Sequence, residues 1–376
     1  MSEPVRVLNL FTIMNRGGAE TMVMNYYRSI DRTKVQFDFM VHRQERGAYD
    51  DEIEAMGGKI YRMSPIHPGK INQYKKELKL FFDEHPEYQI IHSHMSELGC
   101  YAFMEAKAHN VKCTICHAHN APHFKDETLT EKLKDIMRWR LKHKIRKYND
   151  HMFVCGTDAG VWLFGRMKKR KFVMMNNAID AEKFRWDASR AAELRKKWEL
   201  KNKFVICNVG RFNAQKNHEL IINIFSLVHS QNPDAVLLLA GSGDLEERIK
   251  LKVSNMGLTD SVHFLGVRSD VNDILLASDV FLFPSLYEGL PVTLVEAQAS
   301  GIKCIISDAV PDDCKITKNI DVVSLEAPVS DWANAVLSYQ DGYKRKDTYS
   351  IIVKNDFDIN ENAEWLEEFY INEYYR

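Results

Sequence analysis

Two glutamates with seven residues between them, Glu288 and Glu296, have a spacing suited to binding a sugar phosphate. Glu288 follows the apolar run 281–283, which predicts a buried strand, and Pro291 stands in the first turn of a segment with helical spacing. Helix N-termini bind anions, and α/β folds bind ligands where parallel strands end. A carboxylate accepts hydrogen bonds from sugar hydroxyls. The alternative is that the two glutamates are a helix cap and a surface residue.

Further groups suited to phosphate follow two other predicted strands. Arg211 and Lys216 come after the apolar run Phe204–Val209. A guanidinium and an ammonium together offset the charge of a diphosphate, although loop cations are usually solvated. Gly17 and Gly18 follow the first predicted strand and open a helix, where they permit close backbone approach to a ligand. A lone glycine pair is more often a turn.

The length of the chain requires more than one domain to position these residues. At 376 residues it exceeds the size at which single hydrophobic cores stop growing. In both halves short apolar runs alternate with segments of helical spacing, which indicates parallel sheets with helices on both faces. We therefore expect an α/β protein with two doubly wound, Rossmann-like domains. The first would comprise residues 1–176 with a C-terminal helix at 358–376 packing back on it, and the second residues 177–357.

Composition narrows the class of protein and its location. Hydrophobic residues make up 45% and charged residues 27%, as in ordinary soluble globular proteins. No apolar run reaches the roughly 18 residues that span a bilayer, and residues 1–10 resemble a strand, not a signal peptide. The seven cysteines, an odd number spread thinly, indicate reduced buried thiols. We expect a cytoplasmic protein.

Charge is distributed unevenly along the chain. Basic residues outnumber acidic ones by 8 in residues 1–175, and acidic ones outnumber basic ones by 9 in residues 176–376. The segment Leu129–Tyr148 is amphipathic and basic, and a second basic run occupies Arg166–Lys171. Such a helix usually packs on its own core, but it also suits peripheral binding to the anionic inner face of a membrane. No motif for binding nucleic acid is present.

Histidines support a competing hypothesis. His92 and His94, and likewise His117 and His119, form His-x-His pairs after predicted strands, and such pairs can hold a metal. A metal-dependent hydrolase is therefore one alternative function, although no partner carboxylate cluster is evident. Residues 113–117 also spell the haem-attachment pattern C-x-x-C-H, but they resemble a buried strand, whereas haem attachment needs an exposed segment. We predict no metal site.

Three motifs resemble those of the family-four retaining glycosyltransferases, which have the two-domain GT-B fold. Residues 284–297 read P-S-L-Y-E-G-L-P-V-T-L-V-E-A, which is similar to the Glu-x7-Glu motif of the family. Residues 210–216 read G-R-F-N-A-Q-K and are similar to its Gly-Arg-x4-Lys signature, and residues 17–20 match its G-G-A-E loop. Asn176 and Ala178 depart from the Pro and Gly that the family carries between its domains. The resemblance covers nearly the whole chain.

The resemblance implies a role for each matching residue. Glu288 would contact the donor sugar and Glu296 the ribose, while Arg211 and Lys216 would bind the diphosphate. His117 would lie near the sugar, with His119 as a second candidate. Further donor contacts would come from the loop glycines Gly17 and Gly18 and from Gly289 and Leu290, which precede the helix amides. Val267 and Arg268, at the strand and loop that face the base, would add others. The turn at 240–244, a near match to a dinucleotide fingerprint, carries Glu246 at the third glycine position and has no evident phosphate role.

The function that this resemblance implies is sugar transfer without a metal or other cofactor. The donor would be a nucleotide-diphosphate sugar, most simply UDP-linked, in the cleft between the domains. The acceptor would be a saccharide or a lipid-linked saccharide in polysaccharide biosynthesis. Retention would follow from front-face attack, in which the leaving diphosphate takes the proton of the acceptor. A sugar-nucleotide epimerase or a phosphorylase on the same scaffold is the other alternative.

Overall fold

A computed structural model describes residues 3–119 and 129–376, without the side chains of 129–134. The chain divides into two compact units. The first unit comprises Met1–Ala178 and Ile359–Arg376, and the second comprises Ile179–Asp358. The expected division after residue 176 lies two residues before the observed one.

The first unit contains a sheet of seven parallel strands in the order β3-β2-β1-β4-β5-β6-β7. The strands are β1 (Val5–Phe11), β2 (Val35–Val41), β3 (Ile60–Arg62), β4 (Ile90–Ser93), β5 (Cys113–Ala118), β6 (His151–Val154) and β7 (Phe172–Met174). The central strands are buried along almost their whole length, because helices cover both faces of a parallel sheet.

Seven α-helices accompany this sheet in the described residues. They are α1 (Gly18–Ser29), α2 (Asp50–Ala55), α3 (Ile71–Glu84), α4 (Cys100–Ala108), α5 (Leu129–Tyr148), α6 (Thr157–Phe164) and, after the second unit, α15 (Ile359–Tyr375). Short 3-10 helices occupy Pro68–Lys70, Ser96–Gly99 and Arg166–Lys171. Helix α15 packs into the core of the first unit through Ala363, Leu366 and Tyr370.

The second unit contains a parallel sheet of six strands in the order β10-β9-β8-β11-β12-β13. The strands are β8 (Phe204–Val209), β9 (Ala235–Ala240), β10 (Val262–Gly266), β11 (Val280–Phe283), β12 (Lys303–Ser307) and β13 (Ile320–Val323). The helices are α7 (Ala181–Phe184), α8 (Ala188–Lys197), α9 (His218–Gln231), α10 (Glu246–Asn255), α11 (Val271–Ala277), α12 (Val292–Ala299), α13 (Val329–Leu337) and α14 (Tyr349–Lys354). Short 3-10 helices occupy Ala214–Lys216 and Asp312–Cys314.

The predicted fold class of two doubly wound parallel sheets is confirmed. In each sheet the strand order reverses direction at one point, between β1 and β4 in the first unit and between β8 and β11 in the second. Ligands of α/β proteins bind beyond the carboxyl ends of the strands at such a reversal. We call that side of each sheet its carboxyl edge. Among the described residues, every helix is too short or too polar to cross a membrane.

Candidate active site

The loops after β8 and β11 meet at the carboxyl edge of the second unit. The N–H of Leu286 donates a hydrogen bond to the carbonyl oxygen of Gln215 at 2.8 Å. Nδ2 of the Asn217 side chain donates a hydrogen bond to the carbonyl oxygen of Pro284 at 3.2 Å. The backbone of Asn217 is in the left-handed conformation. These bonds fix the two loops against each other, so that side chains from both sequence motifs lie together.

The centre of this site is a buried ion pair between Lys216 and Glu288. The ammonium of Lys216 lies 2.6 Å from Oε1 of Glu288, and the two side chains are 14% and 5% exposed. Nε2 of Gln215 donates to the other carboxylate oxygen at 3.1 Å. The ammonium also lies 4.6 Å from the centre of the Phe283 ring, a favourable cation–π distance. Glu288 is therefore held inside the site and is not a surface residue.

Arg211, the other expected diphosphate ligand, differs from Lys216 in its surroundings. Its side chain is exposed, and its guanidinium makes no hydrogen bond or ion pair with any part of the chain that the structure describes. Removing this cation therefore leaves no buried partner behind. The two predicted diphosphate ligands therefore differ: Lys216 is buried and paired with Glu288, whereas Arg211 is exposed and has no partner among the described residues.

Glu296 is a carboxylate whose pKa is raised well above its ordinary value. It lies in α12 and is partly buried, and burial raises the pKa of its carboxyl to about 7 against the opposing charge of Lys183. Within the described ranges, no group donates a hydrogen bond to this carboxylate. Strongly shifted pKa values are more frequent at functional sites than elsewhere in a protein.

The start of α12 supplies backbone donors at the same edge. Pro291 is the N-cap, with φ −73° and ψ 114°, and the helix begins at Val292, one residue later than the sequence predicted. The first N–H groups of a helix have no partner within it. Two buried hydroxyls of the same motif, those of Ser285 and Thr293, have no hydrogen-bond partner among the described residues. Both residues stand within the motif at residues 284–297, but neither was assigned a role from the sequence.

His218 is another residue for which no role was predicted from the sequence. It begins α9, two residues after Lys216, and its ring stacks on Phe212 at 4.1 Å between centroids. Both ring nitrogens are buried and have no hydrogen-bond partner in the part of the chain that the structure describes. Burial and the charge of Lys216 lower the pKa of His218 to about 4, so the ring is neutral at physiological pH. Its only signal in the sequence is its position beside the Gly-Arg-x4-Lys motif.

The turn after β9 has a structural role. A Cβ added to Gly241, whose φ is +141°, would lie 2.0 Å from the carbonyl oxygen of Gly210. A Cβ added to Gly243 would lie 2.5 Å from the carbonyl oxygen of Phe212. Glycine is needed here because the turn packs directly against the backbone of the Arg211 loop. The imperfect dinucleotide pattern reflects this packing.

The expected base-binding residues lie after β10 and are solvent-exposed. Val267 is 53% exposed. The guanidinium of Arg268 binds the carboxylate of Asp270, with Nε 2.7 Å from Oδ1. Arg268 therefore already has an anionic partner, and any contribution to a nucleotide site would come from the backbone.

In the first unit, the glycine pair lies at the start of α1. Gly17 is the N-cap and Gly18 the first helical residue. A Cβ added to Gly17 would meet the Glu20 carboxylate at 2.2 Å, whereas one added to Gly18 would meet nothing within 4 Å. The backbone at Gly18 is therefore open to an incoming group.

Four histidines lie close together at the carboxyl edge of the first unit. This histidine cluster consists of His92, His94, His117 and His119, which follow or end β4 and β5. Ring centroids of neighbouring members are 4.2 to 5.5 Å apart. Burial lowers the pKa of every member, that of His119 to about 3. All four rings are therefore neutral at physiological pH.

Hydrogen bonding divides the cluster. Nδ1 of His94 lies 2.8 Å from Nε2 of His119, and Nδ1 of His92 lies 2.7 Å from the hydroxyl of Tyr370. Within residues 3–119 and 129–376, no hydrogen-bond partner is found for either nitrogen of His117 or for Nε2 of His92, which are all buried. Ligand nitrogens of His92, His94 and His117 lie within 4.8 Å of one another. The cluster can thus donate or accept hydrogen bonds without carrying charge.

Comparison with known proteins decides the family. The family described as glycosyl transferases group 1 matches residues 190–339. A protein of Bacillus subtilis (strain 168) named as a glycosyltransferase, EpsF, is 34% identical over 341 residues, which cover 89% of this chain and 88% of EpsF. This chain belongs to the group 1 glycosyltransferases. The resemblance inferred from the motifs is confirmed.

Other similarities of this group 1 glycosyltransferase extend over most of its length. The UDP-Gal:alpha-D-GlcNAc-diphosphoundecaprenol alpha-1,3-galactosyltransferase of Escherichia coli is 28% identical over 76% of each chain. The capsular polysaccharide biosynthesis glycosyltransferase CapH of Staphylococcus aureus is 24% identical, covering 98% of this chain and 99% of CapH. The solved structure of Anabaena Alr3699/HepE with UDP and glucose superposes with a TM-score of 0.77 at 16% identity, covering 97% and 99% of the two chains. None of these similarities supports the epimerase, phosphorylase or metal-hydrolase hypotheses.

Proposed function

We propose that this glycosyltransferase is a retaining hexosyltransferase that moves a sugar from a UDP-sugar to a saccharide or lipid-linked acceptor during polysaccharide biosynthesis. The observation that carries this proposal is the buried Lys216–Glu288 pair beside the N-terminus of α12, with the free guanidinium of Arg211 in the adjoining loop. Relatives support the substrate classes, since one is named for UDP-Gal and a diphosphoundecaprenol acceptor and another for capsular polysaccharide biosynthesis.

Each group at the carboxyl edge of the second unit has a distinct proposed task. Arg211 and Lys216 bind the diphosphate, assisted by the amides at the start of α12 and by Gly289 and Leu290 before it. Glu288 accepts hydroxyls of the sugar and Glu296 those of the ribose. The backbone at Val267 and Arg268 meets the base. On the first unit, the proposed substrate contacts are Gly17, Gly18 and His117.

The proposed reaction needs no protein nucleophile. The acceptor oxygen attacks the anomeric carbon on the face from which the diphosphate leaves, the bond from that carbon to the phosphate oxygen breaks, and the leaving phosphate takes the acceptor proton. The contribution of Arg211 and Lys216 is electrostatic, because negative charge grows on the diphosphate as the bond breaks. We propose that these cations do this without a metal, so that activity persists in excess EDTA.

Calorimetric titration of UDP tests the site. Replacing Arg211 or Lys216 with alanine should weaken UDP binding by about 1.5–3 kcal/mol, the scale of a hydrogen bond to a charged group. Arg211→Ala is the cleaner variant, because Arg211 is exposed and unpaired. Arg248→Ala, which removes a 71% exposed cation of α10, is the charge-matched control and should bind UDP normally. Unchanged affinity in both site variants would refute the assignment.

The stereochemical outcome requires its own measurement. A retaining enzyme gives a product whose new linkage has the anomeric configuration of the donor. Proton NMR of the product formed in the first turnovers, before any equilibration, reads this configuration from the coupling of the anomeric proton. A product of the opposite configuration would show an inverting transferase, while leaving the assignment of the nucleotide site intact.

A surface on α5 supports peripheral binding to an anionic membrane, which we include in the proposed function. Leu141 and Ile145 already form the buried stripe of this helix, so its exposed apolar residues are not needed for the core. Trp139 is 68% exposed, and Met167, within the basic 3-10 helix after α6, is 96% exposed. Exposed cations accompany them, and basic residues near an anionic lipid surface contribute about 1 kcal/mol each.

Co-sedimentation with vesicles tests this surface. We expect binding to anionic vesicles that weakens with salt, and little binding to neutral vesicles. The double change Trp139→Ser with Met167→Ser should reduce it, whereas Leu80→Ser, at a 57% exposed position of α3, should not. Equal sedimentation with both kinds of vesicle at low salt would refute peripheral binding.

A further inference from the structure

Three potential metal ligands meet at the amino ends of β5 and β6, on the side of the first sheet opposite its carboxyl edge. Cys113 begins β5 and His151 begins β6, and Ile115 is the strand partner of His151. Residues two apart in a strand share a face, as do paired residues of adjacent strands. Cys113 and His151 therefore lie on the same face, one step apart diagonally.

Helix α15 covers that face and brings the third group. The ring of Phe369 meets that of His151 edge-on at 5.0 Å. One turn later, a carboxylate oxygen of Glu373 lies 3.2 Å from Nε2 of His151. The ligand atoms of Cys113, His151 and Glu373 all lie within 4.8 Å of one another. Two distant parts of the chain thus place a thiol, an imidazole and a carboxylate around one point.

The surroundings argue against a catalytic cysteine at this point. Cys113 is fully buried, and burial, with the nearby charges of Glu373 and Asp150, raises the pKa of its thiol well above the usual range. Nucleophilic cysteines instead have a lowered pKa. Within the described chain the thiol donates no hydrogen bond, so it is available as a ligand.

We propose that Cys113, His151 and Glu373 together bind one Zn²⁺ ion, with water as the fourth ligand. Zinc favours this mixture of thiolate, imidazole and carboxylate in a four-coordinate arrangement. A thiolate and a carboxylate carry two negative charges, which the ion offsets, leaving a neutral site in a mostly buried position. The side chains of His151 and Glu373 are 23% and 16% exposed, which gives water and the ion a route in.

Binding requires only a small contraction of the observed geometry. Ligand atoms around a tetrahedral zinc lie about 3–4 Å apart, given bonds of roughly 2.0–2.3 Å. Glu373 lies in the last turn of α15, and its other oxygen has, among the described residues, a single long contact of 3.5 Å, to Arg376. The ion would fasten α15 to β5 and β6 and so stabilise the first unit. This site lies apart from the residues proposed for sugar transfer.

Cobalt substitution in the full chain tests the proposal directly. Chelator-treated protein titrated with Co²⁺ should take up one equivalent and develop the near-ultraviolet charge-transfer band of a cobalt–thiolate bond, which Zn²⁺ then removes. Cys113→Ser should abolish the band. Cys155→Ser, which changes another buried free cysteine of the same unit, should keep it. A band that persists in Cys113→Ser, or no band in wild type at excess Co²⁺, would overturn the proposal.

A second pair of variants covers the case in which Cys113→Ser fails to fold. Glu373→Gln and His151→Asn change partly exposed ligands and should each weaken Co²⁺ binding at least tenfold, as loss of one of three protein ligands does. Zn²⁺ should raise the melting temperature of the wild type more than that of these variants. An equal rise in all of them would refute the site. UDP affinity should be the same throughout, so that failure here is distinct from failure of the proposed function.

Discussion

The carboxyl edges of the two sheets differ in charge although the sheets share one architecture. In the second unit the edge carries a buried ion pair, a free guanidinium and a carboxylate whose pKa is about 7. In the first unit the corresponding edge carries four neutral imidazoles. Charged groups suit a nucleotide diphosphate, and neutral donors and acceptors suit hydroxyl groups. The same scaffold therefore carries charged side chains at one edge and neutral polar side chains at the other.

Acid should destabilise the first unit more than the second, and this is the largest effect we predict. A buried histidine with a lowered pKa cannot take up the proton that its unfolded form binds below pH 6.5. Between pH 6.5 and 5.5 each member of the histidine cluster should remove up to about 1 kcal/mol, or about 4 kcal/mol together. In the second unit His218 acts in the same direction, but Glu296 opposes it. The Glu296 carboxyl binds a proton below about pH 7 in the folded state but only near pH 4.5 in the unfolded state, so acid stabilises the second unit through this group.

Hydrogen exchange by mass spectrometry separates the two units. Corrected protection should fall on acidification in peptides of β4 and β5 and stay nearly constant in those of β8 and β11. His117→Leu should reduce the loss by about a quarter, whereas His143→Leu, at an exposed position of α5, should not alter it. Equal losses in both units would contradict the assigned difference in charge.

Removing the charge of Glu288 should give the next largest effect. Glu288→Gln keeps a hydrogen-bond acceptor for Lys216 but loses the carboxylate that is proposed to hold the sugar in the transition state. We expect kcat to fall on the order of 100-fold, or about 2.7 kcal/mol, with UDP affinity unchanged or higher because Lys216 is no longer neutralised. Glu296→Gln should instead weaken UDP itself.

Steady-state kinetics with the donor and calorimetry with UDP provide the paired readout. A circular-dichroism melt shows whether Glu288→Gln remains folded despite the buried ammonium. If Glu288→Gln loses UDP binding while Glu296→Gln retains it, the two roles are reversed. If neither variant alters turnover, the site itself is misassigned.

A smaller effect should appear in the pH dependence of UDP binding. Because the pKa of Glu296 is about 7, its carboxylate is mostly protonated at pH 6 and mostly ionised at pH 8. If the ionised form accepts the ribose hydroxyls, affinity should rise about tenfold, or about 1.4 kcal/mol, between these values. Glu296→Gln supplies the background from titration of UDP itself. Lys183→Met should move the midpoint of the affinity change to higher pH, because Lys183 lowers the pKa of Glu296. If wild type and Glu296→Gln show the same pH profile of UDP affinity, a titrating carboxylate at residue 296 is excluded.

The sequence was sufficient for the fold because its signals are local. Apolar runs with helical segments between them predicted both sheets, and the strand Phe204–Val209 and the helix Leu129–Tyr148 have the predicted bounds. Ends that depend on neighbours were less accurate: β11 begins at Val280 and not at Phe281, because pairing with β8 and β12 extends it.

Contacts within the candidate site could not be predicted because they join residues far apart in the chain. Lys216 and Glu288 were each singled out, but their ion pair depends on how two loops meet at one edge. The cluster of neutral imidazoles depends in the same way on the register of β4 and β5. Gly241 and Gly243 resembled an incomplete dinucleotide-binding motif. Their actual role is to pack against the backbone of the Arg211 loop, and this contact could not be predicted from the sequence. The roles of these residues in catalysis remain predictions.

Helix α15 sets the order in which the chain can fold during synthesis. In this helix the Tyr370 ring packs against Phe37 of β2, and the Phe369 ring packs against Phe153 of β6. Phe37 and Phe153 therefore lack these packing partners until the helix has been synthesised. At about 5–20 residues per second, roughly 10–40 s separate translation of Ala178 from that of Ile359. The second unit, which is one unbroken stretch, can close in that interval. The domain that leaves the ribosome first is thus the last to be finished, and its nascent apolar face is where a chaperone would be needed.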